Sequence, residues 1–237
     1  MGGGRREVCR FIAGEMMNVV VFGASGMIGA GVVIECLEDP RVRSILVLGR
    51  TPSGVVHPKL RELIRSNFFD YRDTKADLKG HDACFFCLGV SSVGMTETAY
   101  HHVTYDLTIA AATALAELNP DMTFCYVSGE GADSTERGRS MWARVKGKTE
   151  NQLLRLPFRA YLFRPGFIQP RKGVRSKTKW YQAFYNVLGP FYPVLRRLLP
   201  RHVTTTENVG RAMIRVATSG FSKRILENPD INGLAER

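Results

Sequence analysis

The run Asn18-Val-Val-Val-Phe-Gly23, continued at once by Ala-Ser-Gly26-Met-Ile-Gly29, constrains the fold of this chain more than any other stretch. A β-branched run ending in glycine reads as a buried strand. Beyond it Ile28, Val32 and Cys36 recur at helical spacing with Val33 and Leu37 beside them, and Ser44-Ile-Leu-Val-Leu-Gly49 reads as a second strand. The three elements make a βαβ unit. Further strands are expected at 67–69, 82–89, 122–128 and 159–165, with helical stretches near 58–65, 97–118 and 138–155. Thr206 is the expected N-cap of a helix through "TTTENVGRAMIRVAT", and "KRILEN" the last strand. Strands apolar on both faces, alternating with helices, must be covered on both sides. The expected fold is α/β, a doubly wound parallel sheet.

A chain of 237 residues suits one domain. Residues 1–16 are glycine- and arginine-rich without an apolar signal core, and are expected to form a flexible arm, with Met16 or Met17 as the functional start. Residues 17–237 then form a single domain of Rossmann type with a small C-terminal cap at about 170–205. No run of about 18 apolar residues occurs in the sequence, so no membrane-spanning helix is expected. Five cysteines at irregular spacing fit unpaired thiols in a reducing compartment, and the protein is expected to be cytoplasmic. Cys84 and Cys87 share a CxxC spacing, but on a strand residues three apart face opposite sides.

The glycine spacing has a chemical reading. Gly23 permits the tight turn, Gly26 lets the backbone approach a pyrophosphate, and Gly29 lets the helix pack closely on the strand. The helix N-terminus then offers unpaired N–H groups to phosphate. A dinucleotide is the expected cofactor. Where an NAD site usually carries a carboxylate at the end of the second strand, this chain has Leu48-Gly49-Arg50. A guanidinium there pairs with a ribose 2′-phosphate, so NADP(H) is preferred, with NAD(H) as the alternative. Asp70 is placed to accept a hydrogen bond from an adenine amino group, though an Asp at a strand end is also common turn chemistry.

Taken in order, "GASGMIG", "FFDY", "FCLG", "YVSGEGA", the helix carrying Lys146 and "FRPGFI" resemble the short-chain dehydrogenase/reductase superfamily, in its atypical, epimerase-like branch. The resemblance covers about residues 17–230. It implies that Gly23, Ser25, Gly26, Met27, Ile28 and Arg50 contact the cofactor phosphates and ribose, that Leu88 and Gly89 line the adenine ribose side, and that Pro165, Gly166 and Phe167 flank the nicotinamide. Catalytic members carry a serine after the fifth strand and a Tyr-x-x-x-Lys on the next helix. Ser128 and Lys146 match, but the tyrosine position is Trp142, and Thr104 stands where many members have asparagine. An indole N–H donates a hydrogen bond but is too weak an acid to deliver a proton at neutral pH. Tyr105, Tyr126 and Glu130 are substitutes by position only, and packing in the core is the better-supported reading of both tyrosines.

Other chemistries are less well served. The adjacent His101 and His102 diverge on a helix and no metal-ligand spacing occurs, so no metal is expected. The glycine that a nucleophile elbow needs two residues before Ser128 is Tyr126. From Asn151 to Thr206 there is no Asp or Glu but eleven Lys and Arg, which equals the net charge of +11. No nucleic-acid-binding signature accompanies this field, so no nucleic acid is expected. Trp180, Tyr181, Phe184 and Tyr185 are candidates to line a substrate pocket. Phe191, Tyr192, Leu195, Leu198 and Leu199 beside Arg196 and Arg197 also suit a peripheral contact with an anionic membrane. The expectation is an oxidoreductase or epimerase-like enzyme for a small-molecule substrate. The alternative is a non-catalytic, NADPH-binding regulatory or membrane-peripheral module.

Overall fold

A computed structural model describes residues 16–174, 199 and 201–236. The arm at 1–15 and most of the expected cap, including Trp180, Tyr181, Phe184, Tyr185 and the 191–198 membrane candidates, lie outside the described residues. Leu199 is described and is half exposed.

The first unit forms as the pattern requires: β1 (Met17–Phe22), α1 (Met27–Glu38) and β2 (Val42–Gly49). There follow β3 (Leu60–Ile64), a 3₁₀ turn (Arg72–Thr74) leading into α2 (Lys75–Leu78), and β4 (Ala83–Phe86). Next come α3 (Glu97–His101), a π-helical segment (His102–Asp106) and α4 (Leu107–Leu118), then β5 (Thr123–Val127), α5 (Met141–Leu153) and β6 (Arg159–Arg164). The described chain ends with β7 (Phe167–Gln169), β8 (Val203–Thr205), α6 (Thr206–Ser219), β9 (Ile225–Glu227) and α7 (Asn228–Ala235).

Seven strands form one parallel sheet in the order β3-β2-β1-β4-β5-β6-β9. The separate parallel pair of β7 and β8 lies beyond the end of β6. One face packs Val19, Val21, Phe85 and Cys125 against Val32 of α1 and Val209 and Met213 of α6. The other packs Val20, Phe22, Phe86, Phe124 and Tyr126 against Ala111 and Leu115 of α4. Both layers are built of buried apolar side chains, so the central strands read as continuous apolar runs. Cys84 and Cys87 sit with opposite layers, and burial raises both thiols, Cys87 to about 12.

Two expectations fail between β2 and β4. The stretch 58–65 is not helical; its middle is the edge strand β3, paired to β2 alone. Leu60, Leu63 and Ile64 imitate a helical repeat because an edge strand buries neither face fully. Residues 67–69 are not a strand. The Asn67 side chain accepts the Phe69 N–H at 2.9 Å, and the Asp70 side chain accepts the Arg72 N–H at 3.0 Å, which curls the backbone into turns. Phe68 is thereby buried while Phe69 stacks in the open on His102. At the other end of the chain, Thr205 rather than Thr206 caps α6, its hydroxyl accepting the Asn208 N–H at 3.0 Å. The Thr206 hydroxyl accepts instead from the Arg171 N–H at 3.1 Å.

Candidate functional site

The strand order reverses between β1 and β4, and in open parallel sheets ligands bind outside the carboxyl ends of the strands at such a point. A cleft of about 620 Å³ opens there, within the usual range for ligand sites. Its floor is Gly26, Met27 and Ile28 after β1. One wall is the loop Cys87–Val93 after β4. Val127 and Ser128 at the end of β5, Tyr100 of α3, and Trp142 and Lys146 of α5 complete it.

The glycine turn is dictated sterically. Gly23 has φ +80°, and a Cβ there would lie 2.8 Å from the Cys87 carbonyl. A Cβ on Gly29 would fall 2.2 Å from the Gly23 oxygen, so only glycine lets α1 start this close to β1. Gly26 is the N-cap of α1; no side chain caps that helix end, and no acidic residue occupies its first turn. The free N–H groups and dipole of a twelve-residue helix therefore face the cleft, an arrangement suited to phosphate.

On the β5 side the Ser128 hydroxyl oxygen is buried with no hydrogen-bond partner, although it lines the cleft. Buried hydroxyls are rarely left so. Lys146 is also buried; its Nζ donates to the Tyr126 hydroxyl at 3.1 Å and to the Val127 carbonyl at 3.2 Å. Burial lowers its pKa to about 8, with Glu150 one turn further along α5 opposing the fall. Trp142 packs its ring over the Gly129–Gly131 loop and faces the same cleft. Its neighbour across the site, Tyr100, has its pKa raised by burial, an effect opposed by a hydrogen bond with Thr104 of the π segment. Tyr100 carries no signal in the sequence, because its approach to the cleft depends on where α3 starts, at the Thr96 cap.

Gly26, Met27, Ile28, Leu88, Gly89, Ser128, Trp142 and Lys146 are thus brought together, with Gly23, Ser25 and Gly29 forming the turn around them. Other candidates stand apart from the cleft wall. Arg50 is exposed at the end of β2. The Asp70 carboxylate pairs with Arg72 at 2.5 Å, and that hydrogen bonding holds it down at about 2. Gly166 is wedged against the Glu130 carboxylate, the His202 carbonyl and the Asn228 side chain, with Pro165 and Phe167 on either side. The Glu130 carboxylate is in hydrogen-bond contact with His202 Nδ1. Tyr126 is fully buried in the core, whereas Tyr105 is half-buried on the outer face beside His101, with the Lys148 ammonium 4.9 Å from its ring. Among the described residues no group of His, Cys, Asp and Glu side chains is placed to hold a metal ion.

No family model matches the sequence. Among curated proteins the chain is 29% identical over 167 residues to leucinostatins biosynthesis cluster protein T of Purpureocillium lilacinum, covering 69% of this chain and 57% of that protein's length. It is 26% identical over 196 residues to the mitochondrial protein fmp52 of Emericella nidulans, covering 76% and 80% of the two chains. Among solved structures, the UDP-N-acetylglucosamine 4-epimerase of Methanobrevibacter ruminantium superposes with a TM-score of 0.66 at 17% identity, over 94% of this chain and 81% of that one. The Bordetella bronchiseptica enzyme WbmF in complex with NAD+ gives 0.63 at 18%, over 94% and 78%. A short chain dehydrogenase from Burkholderia cenocepacia in complex with NADP gives 0.62 at 14%, over 94% and 92%. This chain shares the doubly wound Rossmann-type fold of these solved structures.

Proposed function

We propose that the protein binds NADP(H) in this cleft and acts as an oxidoreductase or epimerase-like enzyme on a small substrate, with acid–base equipment altered by Trp142. The observation that carries the reading is the buried Ser128 hydroxyl without a partner, opening on the same cleft as the uncapped start of α1 and the Lys146 ammonium. The α1 N-terminus suits the pyrophosphate, and Lys146 the ribose hydroxyls. Ser128 is free to donate to a substrate oxygen. A bound nicotinamide supplies or accepts hydride. With an indole at 142, the neutral hydroxyls that line the cleft are those of Ser91, Ser92, Tyr100 and Ser128, of which Ser128 alone is buried without a partner. The sugar-nucleotide epimerase among the structural neighbours supports a small, polar substrate.

The preference for NADP(H) rests on Arg50, whose guanidinium ends β2 without an ion pair among the described residues. NADPH should raise the melting temperature more than NADH at equal concentration, since stabilisation follows RT ln(1 + [L]/Kd). Arg50→Asp should abolish the difference; equal shifts with both nucleotides in the starting protein would remove the preference.

The second reading, a module that binds NADPH without turnover, is favoured by Trp142 itself, which stands where the proton donor would be. Brisk NADPH oxidation with any member of a ketone and aldehyde panel would dispose of it. The cytoplasmic placement meets a relative whose name includes "mitochondrial". A fluorescent fusion that co-localised with mitochondria would replace it.

A further inference from the structure

Lys146 reaches the cleft only through an arrangement built behind it. An ammonium has three N–H donors. Two are taken by the Tyr126 hydroxyl and the Val127 carbonyl, leaving one for the cleft. Tyr126 itself is fully buried on β5, in the layer formed with Phe86 and Leu115, and does not line the cleft. Its hydroxyl lies against Thr108 of α4 and Thr149 of α5. Both threonine protons are already committed, Thr108 to the Thr104 carbonyl at 2.5 Å and Thr149 to the Val145 carbonyl at 2.8 Å. The threonines can therefore only accept from the phenol, so the phenol proton points at them and an oxygen lone pair points at Lys146. The Tyr126 ring adds to the hold, since the ammonium lies 4.8 Å from its centroid.

The charged neighbours do not replace this contact. Glu150 is fully buried one turn beyond Lys146, but Arg164 from β6 engages both of its carboxylate oxygens, and the second guanidinium nitrogen also reaches Ser134 at 2.6 Å. From α3, Tyr100 offers only a neutral hydroxyl.

We infer that Tyr126 is a positioning residue: its hydroxyl, oriented by Thr108 and Thr149, aims Lys146 so that a single N–H is presented to a nucleotide in the cleft. The nucleotide part of this statement rests on the proposed function, whereas the aiming of Lys146 does not. A hydrogen bond to the ammonium favours its charged form, so losing it favours the free amine.

The first measurement needs no nucleotide. Trace acetylation of the full chain with acetic anhydride across a pH series, read at the Lys146 peptide by mass spectrometry, gives the titration of that amine alone. In Tyr126→Phe its midpoint should fall, and labelling at neutral pH should run about tenfold faster, the loss expected of one charged hydrogen bond. Thr149→Val, which removes one acceptor for the phenol proton, should move the midpoint the same way by less, and serves should Tyr126→Phe not fold. An unchanged or raised midpoint in the folded variant would overturn the inference. The second measurement is a double-mutant cycle of NADPH affinity with Tyr126→Phe and Lys146→Gln. Tyr126→Phe should weaken binding about five- to tenfold when Lys146 is present and leave it unaltered in the Lys146→Gln background. Equal weakening in both backgrounds would make Tyr126 a packing residue only and defeat the inference. A shifted titration in a protein that binds no NADPH would leave the positioning intact and remove the nucleotide reading.

Discussion

Lys146 keeps its charge in a place that works against charge. Its folded value near 8 lies below the ordinary 10.5, so between those limits the unfolded chain holds the extra proton. The stability cost attached to this residue is therefore complete below about pH 8 and fades as pH rises towards 10.5. Without nucleotide, the stability advantage of Lys146→Met over the starting protein should shrink by roughly 3 kcal/mol between about pH 7 and pH 10.5 in urea unfolding. A constant advantage across that range would place the cost elsewhere. With nucleotide the sign reverses: Lys146→Ala should weaken NADPH binding by roughly 1.5 to 3 kcal/mol, measured by calorimetry at pH 7. Trp142 offers the complementary test. Trp142→Tyr should leave NADPH affinity nearly unchanged and raise carbonyl-dependent NADPH oxidation by up to about 10²-fold, the lower range of general-acid catalysis. A wild-type protein slowed by this change would show that the indole belongs to a working site.

At the level of elements, α5 is the part that must be placed most accurately, because it carries both Trp142 and Lys146. Gly147 sets that placement: a Cβ there would lie 1.7 Å from the Asp133 carbonyl oxygen. The helix consequently rests directly on the turn after β5, where the Asp133 N–H also bonds the Ala143 carbonyl at 2.9 Å. Gly147→Ala should push α5 away from this turn, lower the melting temperature by several degrees, and weaken nucleotide binding through Lys146 in a thermal-shift titration. Unaltered binding in a destabilised variant would show that the helix tilts without moving Lys146. The sequence showed α5 and the 18-residue interval from Ser128 to Lys146, but not the role of Gly147, whose contact is made with a residue fourteen positions earlier. The central strands were readable because burial on both sides leaves uninterrupted apolar runs. The edge strand β3 was not, since half-buried Leu60, Leu63 and Ile64 fit either period. The π segment at His102–Asp106 leaves no mark either, because one widened turn barely disturbs the apolar spacing of 97–118, yet it supplies Thr104 to Tyr100.

For the whole molecule, charge is the property least tied to the cleft. The acid-free stretch from Asn151 to Thr206 carries the formal excess, and its described members are engaged unevenly: Arg164 binds Glu150 and Lys172 binds Glu35 at 2.6 Å. If the remainder faces lipid, the protein should sediment with anionic but not neutral vesicles. Binding should then fade as salt shortens the screening length from about 10 Å at 0.1 M to about 3 Å at 1 M. No sedimentation at low salt would return the segment to the cap. Among the described residues no helix is long and apolar enough to cross a membrane, so such binding would be a surface contact. The sheet order has a consequence for how the chain reaches this state. All seven strands are parallel, so no pair can close as a local hairpin; Val19 must wait for Ala83, and Phe163 for Leu226. Such distant pairing makes for slow folding. Among the described residues, however, the cleft is lined from the ends of β1, β4 and β5 and from α1, α3 and α5, all of which precede Leu154, well before β9 can join the far edge. During synthesis the proposed nucleotide site can thus assemble while the sheet is unfinished, and, if the protein binds a nucleotide as proposed, one captured then would act as a folding template for the strands still to arrive.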